Sequence, residues 1–166
     1  MPRHPDAGAV SIALYRVDDR LIHGQVVVGW GKRLNARFLV LVDDAVRASA
    51  WEQELYRMGV PPDMEVIFAS TEEAARRLEE WERDPRVGML VAGDVETIVR
   101  LCADSRRVPR VNIGGLHERP GRRARLRYVY LSEAEAAALK ALAARGVEVT
   151  AQDVPTARPV PLGEFA

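Results

Sequence analysis

The chain is poor in the residues from which covalent staples and metal sites are built. Cys102 is the only cysteine in 166 residues, and His4, His23 and His117 are the only histidines. A single thiol excludes an intrachain disulfide framework and leaves a cysteine-based metal site without ligands. An excess of charge of either sign is also missing. Lys+Arg and Asp+Glu each number 24, so no net basic field draws in nucleic acid or an anionic membrane. No apolar run approaches the ~20 residues that a membrane-spanning helix needs, and "MPRHPDAGAV" lacks the apolar segment of a leader peptide. These absences predict a cytoplasmic protein. Neither G-x-G-x-x-G after the first strand nor G-x-x-x-x-G-K-[ST] occurs, which argues against a dinucleotide or P-loop site. No long period recurs, which excludes a solenoid.

What is present reads as a globular chain, 48% hydrophobic and 29% charged. Residues 1–10 hold two prolines and a glycine without periodicity and predict a flexible tail; residues 11–166 predict a single domain. Short apolar runs predict strands over 12–17, 37–42, 64–68, 87–92, 110–113, 127–131 and 147–152. "RFLVLV" is nearly all apolar, as suits burial on both faces of a sheet. Helical spacing predicts helices over 25–34, 48–58 and 95–103, the last after Asp94 as N-cap. Ser70–Glu73 and Ser132–Glu135 have capping-box spacing and predict two further helices, one running to about Trp81 and one ending at Gly146. Residues 114–125 carry too many Gly, Pro and Arg for regular structure, and the Pro-rich end predicts a surface segment. Strands alternating with helices define an α/β fold: a three-layer α/β/α sandwich with a mainly parallel central sheet of six to seven strands.

In such sheets ligands bind beyond the carboxyl ends of the strands. The loop after the first strand is the most reactive of these, with Asp18, Asp19, Arg20, His23 and Gly24. His23 precedes a helix start, where free N–H groups and the positive end of the helix dipole attract anions. Gly24 lets backbone approach an oxyanion, and Arg20 offers a planar fork of donors to a phosphoryl group. A neutral imidazole is a competent nucleophile. On the residues alone, His23 as a packed core residue, a metal ligand, or a base working with Asp18 or Asp19 stays open beside the nucleophile. An unrelated nucleotide-binding α/β domain is a further reading. Cys102 reads as a core residue on its helix.

"RVDDRLIHGQV", residues 16–26, resembles the signature of the IIB components of the mannose/fructose/sorbose family of the bacterial phosphoenolpyruvate-dependent sugar phosphotransferase system. "VNIGGL", residues 111–116, is similar to that family's glycine loop, and "ALAARGVEVTAQDVP", residues 141–155, to its last helix and strand. The resemblance implies that His23 is phosphorylated at the ring nitrogen nearer the backbone. It implies that Arg20 contacts the phosphoryl group and that amides around His23, Gly24 and Gln25 cradle it. Asp18 and Asp19 match an acidic pair that fixes the loop and contacts Arg20; Asn112 and Gly114 support it. The implied activity is a relay. A phosphorylated IIA partner loads His23, which passes the group to a sugar held by the membrane IIC/IID transporter, without metal, nucleotide or nucleic acid. The implied location is cytoplasmic, peripheral to the transporter. The alternative is a regulatory phosphohistidine-bearing interaction protein of the same fold with no transported sugar. A homo-oligomer stays open alongside a monomer. The Arg-rich "HERPGRRARLR", residues 117–127, reads as a solvated loop rather than a dock for an acidic partner.

Overall fold

The computed structural model describes residues 11–104 and 108–166; the tail expected over 1–10 lies outside them. Chain order is β1 (Ile12–Val17), α1 (Gln25–Trp30 continuing as Gly31–Leu34), β2 (Phe38–Val42), α2 (Asp44–Arg47), α3 (Ala50–Met58), β3 (Glu65–Ala69) and α4 (Thr71–Glu82). There follow β4 (Gly88–Ala92), α5 (Val95–Asp104), β5 (Arg110–Ile113), β6 (Arg123–Leu126), β7 (Val129–Leu131), α6 (Glu133–Ala144), β8 (Glu148–Ala151) and β9 (Val160–Pro161).

The central sheet has seven strands in the order β3-β2-β4-β1-β5-β8-β9. Every ladder is parallel except β8 with β9. The apolar period of the strands decides which face each residue serves. In β2, Phe38, Val40 and Val42 enter a core with Leu78 of α4, Ile98 of α5 and Leu139 of α6. The alternate residues Leu39 and Leu41 enter a second core with Val26, Val27 and Trp30 of α1. All five residues of β2 are buried, as a strand covered on both sides requires. The α/β/α expectation therefore holds. Connections running toward the β3 edge place α1 and α3 on one face, and those running back place α4, α5 and α6 on the other, as right-handed crossovers demand. β1 is flanked by β4 and β5, whose connections leave on the opposite face from its own. Its carboxyl end is thus a natural crevice.

Several local expectations need correction or refinement. Residues 127–131 do not form a strand of the central sheet; β7 pairs antiparallel with β6 in a separate two-stranded sheet. Residues 114–125 are not all irregular, because β6 begins at Arg123. Part of its charge is met from α6: Glu133 meets both Arg123 and Arg125, and Glu135 takes Arg122 in two bonds of 2.9 and 2.8 Å. The Arg-rich stretch is therefore exposed loop over 117–121 and, from Arg122, an ion-paired arm of the hairpin. The Pro-rich end lies largely at the surface, as expected, but also supplies the seventh strand, β9, and buries Phe165 in the first core. The helix expected over 48–58 is present as α3 from Ala50, capped by Ser49, and a separate short helix, α2, precedes it.

Candidate functional site

β1 ends in the core, and the loop beyond it is organised around one carboxylate. Asp18 is fully buried, and five donors converge on its two oxygens. Oδ1 accepts the backbone N–H of Arg20 at 3.1 Å and its Nε–H at 3.0 Å. Oδ2 accepts Arg20 NH2 at 3.0 Å, Arg16 NH2 at 3.2 Å and His23 Nε2 at 3.1 Å. Burial alone would raise the Asp18 pKa. The bonds from His23 and Arg20 and the charge of Arg16 outweigh it and hold the carboxyl far below the usual carboxylate range. Asp18 is an anion here. The pKa of Arg20 is pushed up, first by its bond to Asp18.

The backbone bends sharply to bring His23 back to this carboxylate. Leu21 adopts a φ of 60°, the left-handed region that a bulky residue avoids. Its N–H donates to the Asp18 carbonyl at 3.0 Å, and its side chain is buried in the α1 core. Those contacts hold it in place. The His23 ring is 18% exposed, so it is neither sealed in the core nor free. Its Nδ1 faces the N–H of Gln25 at 3.3 Å. A backbone amide can only donate, so Nδ1 carries the lone pair and the ring proton sits on Nε2, pointing at Asp18. The nitrogen nearer the backbone is the nucleophilic one, and it lies at the start of α1.

α1 opens in a π-helical stretch, Gln25–Trp30, in which Gly31 N–H bonds the Val26 carbonyl. Such wide turns are rare and concentrate at functional sites. A side chain added at Gly24 would meet nothing within 4 Å, leaving the Nδ1 side open. From Gly24 and Gln25 a groove of about 860 Å³ follows α1 to Lys32 and Arg33, with Val154, Pro155 and Thr156 as its other wall.

The other expected residues fall into two groups. Asp19 is close by but does not bond Arg20. Its carboxylate takes the backbone N–H of His117 at 2.7 Å and His117 Nδ1 at 2.5 Å, and its own N–H bonds the Gly115 carbonyl at 2.9 Å. Asp19 thus ties the β1 loop to the glycine loop. Asn112 and Gly114 do not reach His23 and act through Arg16, which composition and motif reading missed. Arg16 sits within β1 with no solvent exposure. It donates to the Asn112 side chain, to the carbonyls of Gln152 at 2.8 Å and Asp153 at 3.0 Å, and to Asp18. Its guanidinium also lies 5.4 Å from the Trp30 ring centre. The only signal for it was a charge inside an otherwise apolar strand.

The two glycines of "NIGG" now have a physical reason. A Cβ at Gly114 would collide with the Arg16 guanidinium, and one at Gly115 would lie 3.0 Å from Arg20 Nε. Each glycine makes room for one guanidinium. Asp153 was also missed; its carboxylate lies 3.7 Å from Arg20 NH2.

This is the class of α/β domain that presents a single histidine beyond the carboxyl edge of a parallel sheet. The family described as the PTS system sorbose subfamily IIB component matches residues 12–166, and the chain belongs to it. It is 34% identical over 140 residues to the sorbose-specific EIIB component of Klebsiella pneumoniae, covering 84% of this chain and 85% of that one. It is 31% identical over 148 residues to the mannose-specific EIIAB component of Escherichia coli K12, covering 87% of this chain. It spans 45% of that relative's length, about half. The IIBSor domain of the sorbose permease from Klebsiella pneumoniae superposes with a TM-score of 0.84 at 28% identity, over 92% of this chain and 94% of that one. The N-acetylgalactosamine-specific IIB component 1 from Escherichia coli gives 0.83 at 28% identity, over 90% and 97%.

Proposed function

We propose that residues 11–166 act as one phosphoryl-carrying unit of a sugar phosphotransferase system, with His23 Nδ1 as the carrying atom. The observation that carries this reading is the ring's fixed protonation: a lone pair on Nδ1 at a helix start, and a proton on Nε2 held by an ionised, buried Asp18. A phosphorylated IIA partner brings its phosphohistidine over the groove along α1. The Nδ1 lone pair attacks phosphorus, the donor P–N bond breaks, and its electron pair returns to the donor ring. His23, now substituted at Nδ1 and still protonated on Nε2, becomes an imidazolium. Asp18 stabilises that charge in the transition state, as the buried aspartate does in a Ser-His-Asp triad. Gln25 N–H, which now solvates the lone pair, turns to a phosphoryl oxygen, and Arg20 shares its fork between Asp18 and the same group. Keeping the Nε2 proton also makes His23 a neutral leaving group when the phosphoryl moves on to a sugar held by the IIC/IID transporter. The domain works in the cytoplasm, against the transporter's inner face. Asp19, Asn112 and Gly114 are positioning residues in this reading.

The test is intact-protein mass spectrometry after incubation with phosphorylated IIA. One acid-labile phosphoryl group is expected, mapping to His23, and none on His23→Ala. Arg20→Ala is expected to slow loading by about 10²-fold without unfolding the domain, the scale of losing a charge-stabilising donor. Stoichiometric loading of His23→Ala refutes the assignment.

A further inference from the structure

Two arginines hold Asp18, and they differ in their freedom to move. The Arg20 side chain is 32% exposed, whereas that of Arg16 has no exposure. Arg16 NH1 donates to the Asn112 side chain and to the Gln152 carbonyl, and NH2 donates to the Asp153 carbonyl and to Asp18 Oδ2. Trp30 lies over the guanidinium, and Gly114 closes on it so tightly that a Cβ there would collide. Asp18 is the only anion among these partners. Burial lowers the Arg16 pKa and the Asp18 charge works against that, but a guanidinium keeps its proton in proteins. Arg16 is thus a cation fixed in place.

Its place matters because of what shares the same oxygen. Arg16 NH2, Arg20 NH2 and His23 Nε2 meet Asp18 Oδ2 at 3.2, 3.0 and 3.1 Å. A buried anion with only an imidazole beside it draws a proton onto that ring. A second proton on His23 would occupy Nδ1, the atom that has to attack. Arg20 offsets this pull while its fork rests on Asp18, but it turns part of that fork to an arriving phosphoryl group. Arg16 is then the one guanidinium still fully committed to its bond with Asp18 among the described residues. The other charges near the loop do not replace it. His117 and Arg122 are turned to Asp19, and Arg122 also to Glu135. Asp153 is itself acidic, with its carboxylate 3.7 Å from Arg20 NH2.

We propose that Arg16 is a positioning residue for the transfer, whose buried charge, more than its packing, keeps His23 Nδ1 unprotonated as the phosphoryl group arrives. The inference rests on the phosphoryl-carrier reading above. Arg16 touches neither the imidazole nor the phosphoryl group and acts through Asp18. The consequence has a definite sign. Weakening the positive charge that faces Asp18 raises the proton affinity of the His23 ring. Loading of His23 then suffers most at low pH, where Nδ1 is occupied, and recovers at high pH, where its lone pair is free again.

The test compares the wild-type full chain with Arg16→Gln and Asn112→Asp. The first removes the cation. The second leaves Arg16 in place and gives its NH1 a carboxylate, which competes with Asp18 for the same charge. The imidazole resonances of the unphosphorylated chain are followed by NMR against pH. The His23 midpoint is expected to rise by about one unit in Arg16→Gln, tenfold in proton affinity, and by about half a unit in Asn112→Asp. Loading by phosphorylated IIA is then measured as the ratio of variant to wild type, so that the titration of IIA itself cancels. That ratio is expected to fall by about threefold or more between pH 9 and pH 6 in Arg16→Gln, the protonation change that such a midpoint shift produces. An unchanged His23 midpoint in either folded variant, or a loading loss that is the same at every pH, means that Arg16 only braces the loop, and overturns the proposal. Should near-UV circular dichroism show that Arg16→Gln does not fold, the midpoint and the loading ratio of Asn112→Asp decide. Failure of the wild-type chain to accept phosphoryl from IIA would instead strike the carrier reading, and the NMR titration is independent of that step.

Discussion

At the scale of the residue, the site is a problem of charge held out of water. Asp18 and Arg16 are both fully buried, and such a pair costs desolvation free energy that an apolar pair would not. What it provides is a defined state of His23. Asp18→Asn tests this sharply, because an amide can accept at only one of the two positions on which five donors now converge. Its NH2 must face an arginine or the imidazole. The variant is expected to lose about 3 kcal/mol of stability at neutral pH, the scale of breaking a buried pair, and to slow loading of His23 by about 10²-fold or more. The pH dependence has a definite sign. The folded carboxyl titrates below its unfolded value of about 3.9. Its contribution is therefore complete above that pH and is lost as pH falls toward the folded value. Urea denaturation at a series of pH values should show a gap between wild type and variant that is constant at pH 5–7 and narrows below about 4. A gap independent of pH would mean that Asp18 is not the anion described. His23 and Arg20 were legible as a pair because both stand in a polar loop after a strand. Arg16 was not, since a charge within a strand reads as solvent-facing until Asn112 and the carbonyls of residues 152 and 153 are seen around it.

At the scale of the element, legibility followed how local the stabilising contacts are. Ser70 and Ser132 each accept the N–H of the residue three positions on, and Glu73 and Glu135 return the bond, all within one turn. These helices could be read from four residues. Ser70→Ala is expected to cost about 1 kcal/mol in thermal or chemical unfolding, with loading of His23 unaffected because α4 lies on the face opposite α1. A loss below a few tenths would show that the Ser70 hydroxyl does not carry the cap. β6, unlike β7, which fell within the strand expected over 127–131, was hidden for the opposite reason. Arg122, Arg123 and Arg125 pair with Glu133 and Glu135, on the next helix, and no window centred on β6 contains that information. β9 is two residues long and includes Pro161, so an apolar period could not reveal it. The π-helical start of α1 keeps the apolar face expected of an α-helix over 25–34 and differs only in backbone register, to which side-chain type is nearly blind.

At the scale of the whole molecule, two cores back to back on one sheet must fail together, and Cys102 reports when they do. Its side chain is 2% exposed in the core shared by α4, α5 and α6, and burial pushes the thiol pKa up to about 11. Only the thiolate reacts with disulfide or alkylating reagents. At pH 7–8 the native thiol is therefore doubly protected, by exclusion and by protonation. The single cysteine, which allows no internal disulfide, becomes a clean probe of global opening. Labelling with a thiol reagent under native conditions is expected to be slow and independent of reagent concentration once that is high. Its rate should then equal the unfolding rate measured by denaturant jump, because α5 sits between α4 and α6 and cannot leave alone. Phosphorylation of His23 lies on the other side of the sheet and adds no contact to this core. It should change the labelling rate only through global stability, by the same factor as it changes the unfolding rate. Rapid labelling proportional to reagent concentration, with the fold otherwise intact, would mean that α5 opens locally and that the two cores are not one cooperative unit.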